Sequence, residues 1–419
     1  MVKHTIFTVV VPIQDGKQNG LREALVNLNY ARGFSQEDVF GFRDVEMLHF
    51  ASMFIYNDPK DGWLLVFESN IDGEIEVYLE RLFEVAQQRD QGQLFLSLFQ
   101  NCQDFSGSTL DDLKQFLKSY IHRPEAAYIT AVELTRDQIL QDAAIYRVID
   151  ETLGAGETAA FPDVIQQTIL EKLANHPETS KFWPLSPDSS WTKIKKFLRK
   201  ALVQIVGILA LVVSGILFLI MAAINLIRER TAIQDQQRPD LDHIRAQKEY
   251  EDHLPTNHMV SVVHLHTDLG RSLGKKLAFA LLKILVAIKY NKGWLGPINT
   301  IHFAHWAKVN DGRRLIFVSN YGGSWKSYLD DFTLKAQKGL TLAWAHGIGF
   351  PKSWIMIFEG AGQGPEFIDW ARRSMVPTLV WYKAYPGVSA PNIHRNHKIR
   401  DALIDAQAGK GDTSWLNWV

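Results

Sequence analysis

The chain reads as an α+β protein: two tandem copies of one β-α-β-β-α-β unit with a single apolar helix between them. Three observations predict this. β-Branched runs alternate with segments whose apolar residues recur at helical spacing. Short blocks of sequence return at a nearly constant offset. Residues 201–227 carry no charge at all.

The order of elements follows from local signals. A β-branched run at 6–13 is broken by Asp15 and Gly16 and has none of the features of a secretory signal. A helix is expected at 21–31, then strands at 47–56 and 63–69 linked through Pro59 and Gly62. A second helix should follow the Asp72-Gly73 turn, and a further one spans 110–119. A final strand at 127–134 and a tail helix complete the copy. The second copy repeats the order: strand 260–266, helix 275–290, strands 300–309 and 314–319 joined at Asp311-Gly312, a helix after Gly322-Gly323, a helix at 365–374, strand 378–385 and a tail helix. The expected units are residues 1–154, a linking region 155–255 that holds 201–227, and residues 256–419.

The duplication is carried by named blocks. Leu48-His49-Phe50-Ala51 returns as Ile301-His302-Phe303-Ala304, at offset 253. Ser69-Asn70 and Tyr78-Leu79 return as Ser319-Asn320 and Tyr328-Leu329, at offset 250. Residues 4–9 align with 258–263, 113–116 with 367–370, and Ile139 and Ile145 with Ile393 and Ile399, all at offset 254.

Composition narrows the function classes. Of 419 residues, 46% are apolar and 22% charged, which excludes wholesale disorder. A net charge of −1 argues against a general nucleic-acid binder. The lone Cys102 excludes an internal disulfide and a thiolate metal centre within one chain.

The uncharged segment is 27 residues long, and a bilayer core needs about 20 in a helix. Lys193, Lys195, Lys196, Arg199 and Lys200 on one flank outnumber Arg228, Arg230 and Arg238 on the other, placing the N-terminal copy in the cytoplasm. Flank charge and length favour a single pass, which puts the copies on opposite sides of the bilayer. A monotopic, re-entrant arrangement breaking near Ser214-Gly215 would keep them on one side, where they could pair within the chain or as a homo-oligomer. The helix at 275–290, with Lys275, Lys276 and Lys289 bracketing an apolar run, packs on a sheet or lies at the interface.

Chemistry-bearing residues concentrate toward the second copy: nine of 14 histidines lie from His253 to His397 and nine of 12 tryptophans from Trp294 to Trp418. His302, matched by His49, is a buried hydrogen-bonded histidine, a haem ligand or a general base. His305, three residues on, should face the other side of a straight strand. His264 and His266 share a face and are weak metal candidates. Ser319 and Asn320 read as a helix cap, with anion binding as the alternative. Gly360-Ala361-Gly362-Gln363-Gly364 lacks the spacing of a nucleotide loop and reads as a helix entry. His394, Arg395, His397, Lys398 and Arg400 form a solvated face or a contact with anionic lipid headgroups.

The element order resembles the ferredoxin-like plan of the dimeric α+β-barrel superfamily, which includes chlorite dismutases and dye-decolourising peroxidases. The blocks at 300–304, 319–321 and 381–387 also resemble a family of uncharacterised membrane-anchored bacterial proteins. The superfamily likeness implies haem as a possible cofactor, although the peroxidases' Gly-x-x-Asp-Gly motif is absent: only Asp72-Gly73 remains, and the second copy has Gly322-Gly323. The functional expectation is a membrane-anchored binding protein that holds a small apolar or tetrapyrrole ligand through His302, His305, Trp306, Ser319, Asn320, Tyr321 and Tyr328. The alternatives are a haem oxidoreductase of the barrel type and a membrane scaffold for protein partners.

Overall fold

The computed structural model of the chain describes residues 3–28, 38–154, 161–231, 239–289, 298–410 and 412–419. It is a mixed α/β protein with antiparallel sheets. The first half runs β1 (His4–Pro12), α1 (Gln18–Asn27), β2 (Leu48–Asp58), β3 (Gly62–Asp72), α2 (Ile75–Gln88), α3 (Gly92–Phe99), α4 (Leu110–Ser119), β4 (Ile121–His122), β5 (Ala126–Ile129) and α5 (Arg136–Gly154). The linking region forms α6 (Pro162–Asn175), α7 (Ser190–Thr231) and α8 (Leu241–Lys248). The second half runs β6 (Thr256–His264), α9 (Leu269–Lys289), β7 (Ile301–Val309), β8 (Arg314–Gly322), α10 (Trp325–Lys335), α11 (Gln337–Trp344), a small ribbon of β9 (Ser353–Trp354) and β10 (Phe358–Glu359), α12 (Gly364–Ser374), β11 (Thr378–Lys383) and α13 (Ala390–Gln407). The expected helix ends at 29–31 and 290 lie outside the described residues.

The two halves exchange their last strands. One sheet has the order β11-β2-β3-β1-β4 and the other β5-β7-β8-β6. Tyr382 pairs with Ala51, and Tyr128 with Ala304, so the exchanged strands enter at equivalent registers. Halves on opposite sides of a bilayer would cut both sheets. The first strands need a different alignment from that read in the sequence. Asn70 opposes Ile6 while Asn320 opposes His258, so His258 matches Ile6 at offset 252, not His4 at 254. The two-residue slip keeps the same faces in register, because strand side chains repeat every two residues.

Alternation along each strand sorts side chains into three layers. Phe7, Val9, Val11, Met53, Leu65 and Phe67 face the helices of the first half, and Met259, Trp306, Leu315 and Phe317 face those of the second. The opposite faces of the two sheets meet. At one end of that interior Val10, Phe54, Val66, Val260, Ile316 and Val318 pack together, closed by a buried ion pair in which Arg314 Nε lies 2.5 Å from Asp58. At the other end lie Ile6, Phe50, Phe303, Tyr385 and Ile393. Between them the layer is polar.

Helix α7 is 42 residues long, about 63 Å at 1.5 Å per residue. Its stretch Ser190–Met221 is long and apolar enough to cross a membrane and is mostly exposed. Gly207 admits α9 closely: a Cβ there would lie 2.6 Å from Ile288. Leu211 and Phe218, on the same helical stripe, join the second half's core. The rest of the circumference is uncovered, with Leu202, Leu209 and Val213 each more than 60% exposed.

Candidate functional site

The inner polar layer is organised by two β-bulges. The ladder shifts register between Leu48 and Phe50 in β2, and between Ile301 and Phe303 in β7. An extra residue at a bulge turns a side chain that alternation would send the other way. His302 therefore faces inward with His305, and the expectation that they lie on opposite faces fails. The His302 ring stands 5.7 Å from Phe50 and 5.9 Å from Tyr385. His305 Nε2 lies 3.1 Å from Thr8 Oγ1.

His49 and His302 are equivalent in backbone and opposite in company. The amide of Ala384 donates to the His49 carbonyl at 2.9 Å, as that of Thr130 donates to His302 at 3.0 Å. His49 Nδ1 is 3.0 Å from Tyr385 Oη, and its Nε2 is 3.0 Å from Asp72 Oδ1. Neither ring nitrogen of His302 has a hydrogen-bond partner among the described residues. Gly322 stands where the first half has Asp72, and Ala131 where the second has Tyr385. Burial pushes the His302 pKa down to about 3, so the ring is neutral. Burial also lowers His49, against the pull of Asp72. Burial alone would raise Asp72, but the neighbouring His4 and His49 rings and the hydrogen bond from the Arg136 amide hold it well below the usual carboxylate range.

Glu68 and His305 are also neutral near pH 7. Desolvation pushes Glu68 up to about 8, while Ser52 Oγ donates to it at 3.1 Å and Asn70 Nδ2 donates as well. Desolvation pushes His305, 3.8 Å from Glu68, down to about 3, so the two are neutral neighbours rather than an ion pair. Lys383 is lowered to about 8 by burial; its Nζ has no hydrogen-bond partner and lies 4.5 Å from the centre of the Trp381 ring. Asn320 accepts a 2.9 Å hydrogen bond from Trp381 Nε1.

The remaining expected binding residues lie on the outer face, away from His302, His305 and Asn320. Tyr321 stacks on Tyr328 with ring centres 3.9 Å apart, and Tyr328 donates to Ser319 at 2.6 Å. This contact replaces the helix cap expected of Ser319; Ser324 caps α10 instead. Trp306 packs on Phe317 and lines a pocket of about 250 Å³ with Tyr128, Leu282, Val286, Ile301, Ala304 and Phe332. Trp306 Nε1 is buried without a partner. Leu334, Lys335 and Lys338 also line it, and Leu334 is 76% exposed.

The other candidates resolve differently. His264 and His266 acquire no third ligand among the described residues. The glycine run at 360–364 forms the turn that enters α12. On α13 the basic face is turned partly onto the first half: His397 and Arg400 lie 3.1 and 3.0 Å from Asp142 of α5, and His394 lies 3.3 Å from Thr130.

Haem does not fit His302, whose fully buried ring is packed by Phe50 and Tyr385 with no open face for a macrocycle. The outer pocket carries no histidine, cysteine or methionine in its lining. Sequence reasoning missed His4, Glu68, Asp72, Lys383 and Tyr385 as members of the inner layer. Glu68 and Asp72 occur with Asn70 on alternate positions of a strand otherwise rich in apolar residues, a visible sign of a polar inward face. No protein-family model, curated protein or solved structure matches the chain.

Proposed function

We propose that the chain is a membrane-attached binding protein that holds a small apolar molecule in the pocket of its second half. The observation that carries this reading is the pocket's place and lining. Trp306, Tyr128 and Phe332 provide apolar walls, and Leu282 and Val286 come from α9, the helix on which α7 packs. A molecule dissolved in the bilayer would reach this site along α9 without crossing water. The volume of about 250 Å³ lies just below the range of about 300–1,000 Å³ usual for ligand sites, which favours a compact ligand over a tetrapyrrole.

Both halves sit on one side of the membrane in this reading, with the uncovered apolar surface of α7 in hydrocarbon. The exchanged strands and the docking of α7 on α9 support it, and the ferredoxin-like and barrel-like resemblance is consistent with two sheets meeting face to face.

The test uses the full chain in sealed vesicles with a fluorescent naphthyl probe. Uptake is expected in the native protein and is expected to fall at least tenfold in Ala304→Phe, which fills the pocket. Equal uptake by a folded Ala304→Phe protein overturns the site. In the same vesicles, with Cys102→Ser, an impermeant maleimide should label Asn19→Cys and Lys410→Cys from one side. Labelling from opposite sides overturns the arrangement.

A further inference from the structure

A second site lies in the first half, at the end of the inner layer away from the buried Arg314–Asp58 pair. His4 opens β1 and Asp72 closes β3, and the two oppose each other in the ladder. The bulge in β2 brings His49 to the same point. His4 Nδ1 is 3.1 Å and His49 Nε2 3.0 Å from one oxygen, Asp72 Oδ1. One ligand atom from each residue lies within 4.8 Å of the others. The histidine side chains are at most 4% exposed, and that of Asp72 is 14% exposed.

The outer atoms of the three groups are already held. His4 Nε2 lies 3.1 Å from the Ala131 carbonyl, which only accepts, so this nitrogen carries the hydrogen. His4 Nδ1 then turns a lone pair toward a carboxylate oxygen, and it has no aligned hydrogen-bond partner. Two lone pairs facing each other in a buried site call for a positive charge between them or a proton on the ring. His49 Nδ1 is tied to Tyr385 Oη at 3.0 Å, and Asp72 Oδ2 accepts from the Arg136 amide at 2.8 Å. Ligating histidines are characteristically oriented in this way through their second nitrogen.

We propose that His4, His49 and Asp72 bind a divalent transition-metal ion. Two imidazoles and one carboxylate suit Fe(II), Zn(II) or Co(II) and leave coordination positions open. His4 also lines a cleft of about 630 Å³ at the root of α7, with Lys3, Glu133, Lys196, Arg199 and Lys200 on its polar side and Ile129, Val203 and Ala287 on its apolar side. The second half cannot reproduce the site, because Gly322 replaces the carboxylate and Thr256 takes the place of His4 in the ladder.

The test is titration of the chelator-treated full chain with Co²⁺, followed in the visible spectrum, and with Zn²⁺, followed by thermal shift. One Co²⁺ per chain is expected, with binding lost in Asp72→Asn and His49→Gln. Tyr385→Phe keeps the ligands and removes one orienting bond, so affinity is expected to fall about ten- to a hundredfold. The double variant His264→Ala/His266→Ala should bind as the native chain does. The proposal is overturned if the native chain binds no stoichiometric metal, since the cluster is then a structural contact only. It is also overturned if binding survives Asp72→Asn or disappears in the His264/His266 variant.

Discussion

His49 and His302 hold equivalent places in the two halves, with the same backbone setting and different side-chain company. Both sit at a bulge, both are fully buried, and both accept a backbone hydrogen bond from the strand supplied by the other half. The shared feature is the backbone geometry that lets an exchanged strand dock. The side-chain partners have diverged: Asp72 and Tyr385 surround one ring, while Gly322 and Ala131 leave the other unpaired. A buried polar atom without a partner costs about 1–3 kcal/mol, so the two histidines have opposite meanings for stability.

The largest difference is expected from removing each ring. His49→Leu leaves Asp72 and Tyr385 each short of a partner and should destabilise the chain by about 2–3 kcal/mol. His302→Leu removes two unpaired atoms and should be neutral or stabilising by up to about 1 kcal/mol. Urea unfolding of both variants checks this, and equal losses would end the comparison.

Acid should separate the halves next. Histidine in the unfolded chain titrates near about 6.5 and His302 in the folded chain at about 3. As pH falls through that window the unfolded state takes up a proton that the native site refuses. Stability is therefore lost at up to about 1.4 kcal/mol per pH unit. His302→Leu should make the urea midpoint less steep between about pH 6.5 and pH 5. Asp72 behaves in the reverse sense. Its depressed pKa gives stability that is present above about 3.9 and is lost only as pH falls toward its lower folded value, so Asp72→Asn should remove that part of the loss below about pH 4.

The smallest effect tests whether the missing carboxylate is the cause. A Cβ at Gly322 would meet Thr300 O at 3.7 Å and Pro255 O at 3.8 Å, ordinary contact distances. Gly322→Asp should raise the His302 pKa by about 1–3 units, read by NMR of the ring protons. An unmoved pKa would mean that the equivalence stops at the backbone.

Much of this was written locally in the chain. The paired strands, the helix at 110–119, the apolar segment and the blocks around His49 and His302 are local patterns, and the structure places elements there. Partner choice is not local. β11 alternates inward Trp381 and Lys383 with outward Val380 and Tyr382, a pattern that serves equally beside β2 or β7. Nothing in residues 301–303 spells a bulge, so His302 seemed to oppose His305. Asp72 reads as a turn residue until His4, 68 positions earlier, is brought opposite it by the β1–β3 ladder.

The exchange of strands also sets a schedule for biosynthesis. β2 is complete at Asp58, but its outer neighbour begins only at Thr378. At about 5–20 residues per second, the ribosome needs tens of seconds to deliver the roughly 320 residues between them. Throughout that interval the nascent first half carries a bare strand edge, the kind of surface that recruits wrong partners. The apolar segment emerges during the same wait. On the membrane-attached reading proposed above, engagement would precede the closing of either sheet, and early delivery to the bilayer would hold the two ends near each other until the last strand arrives.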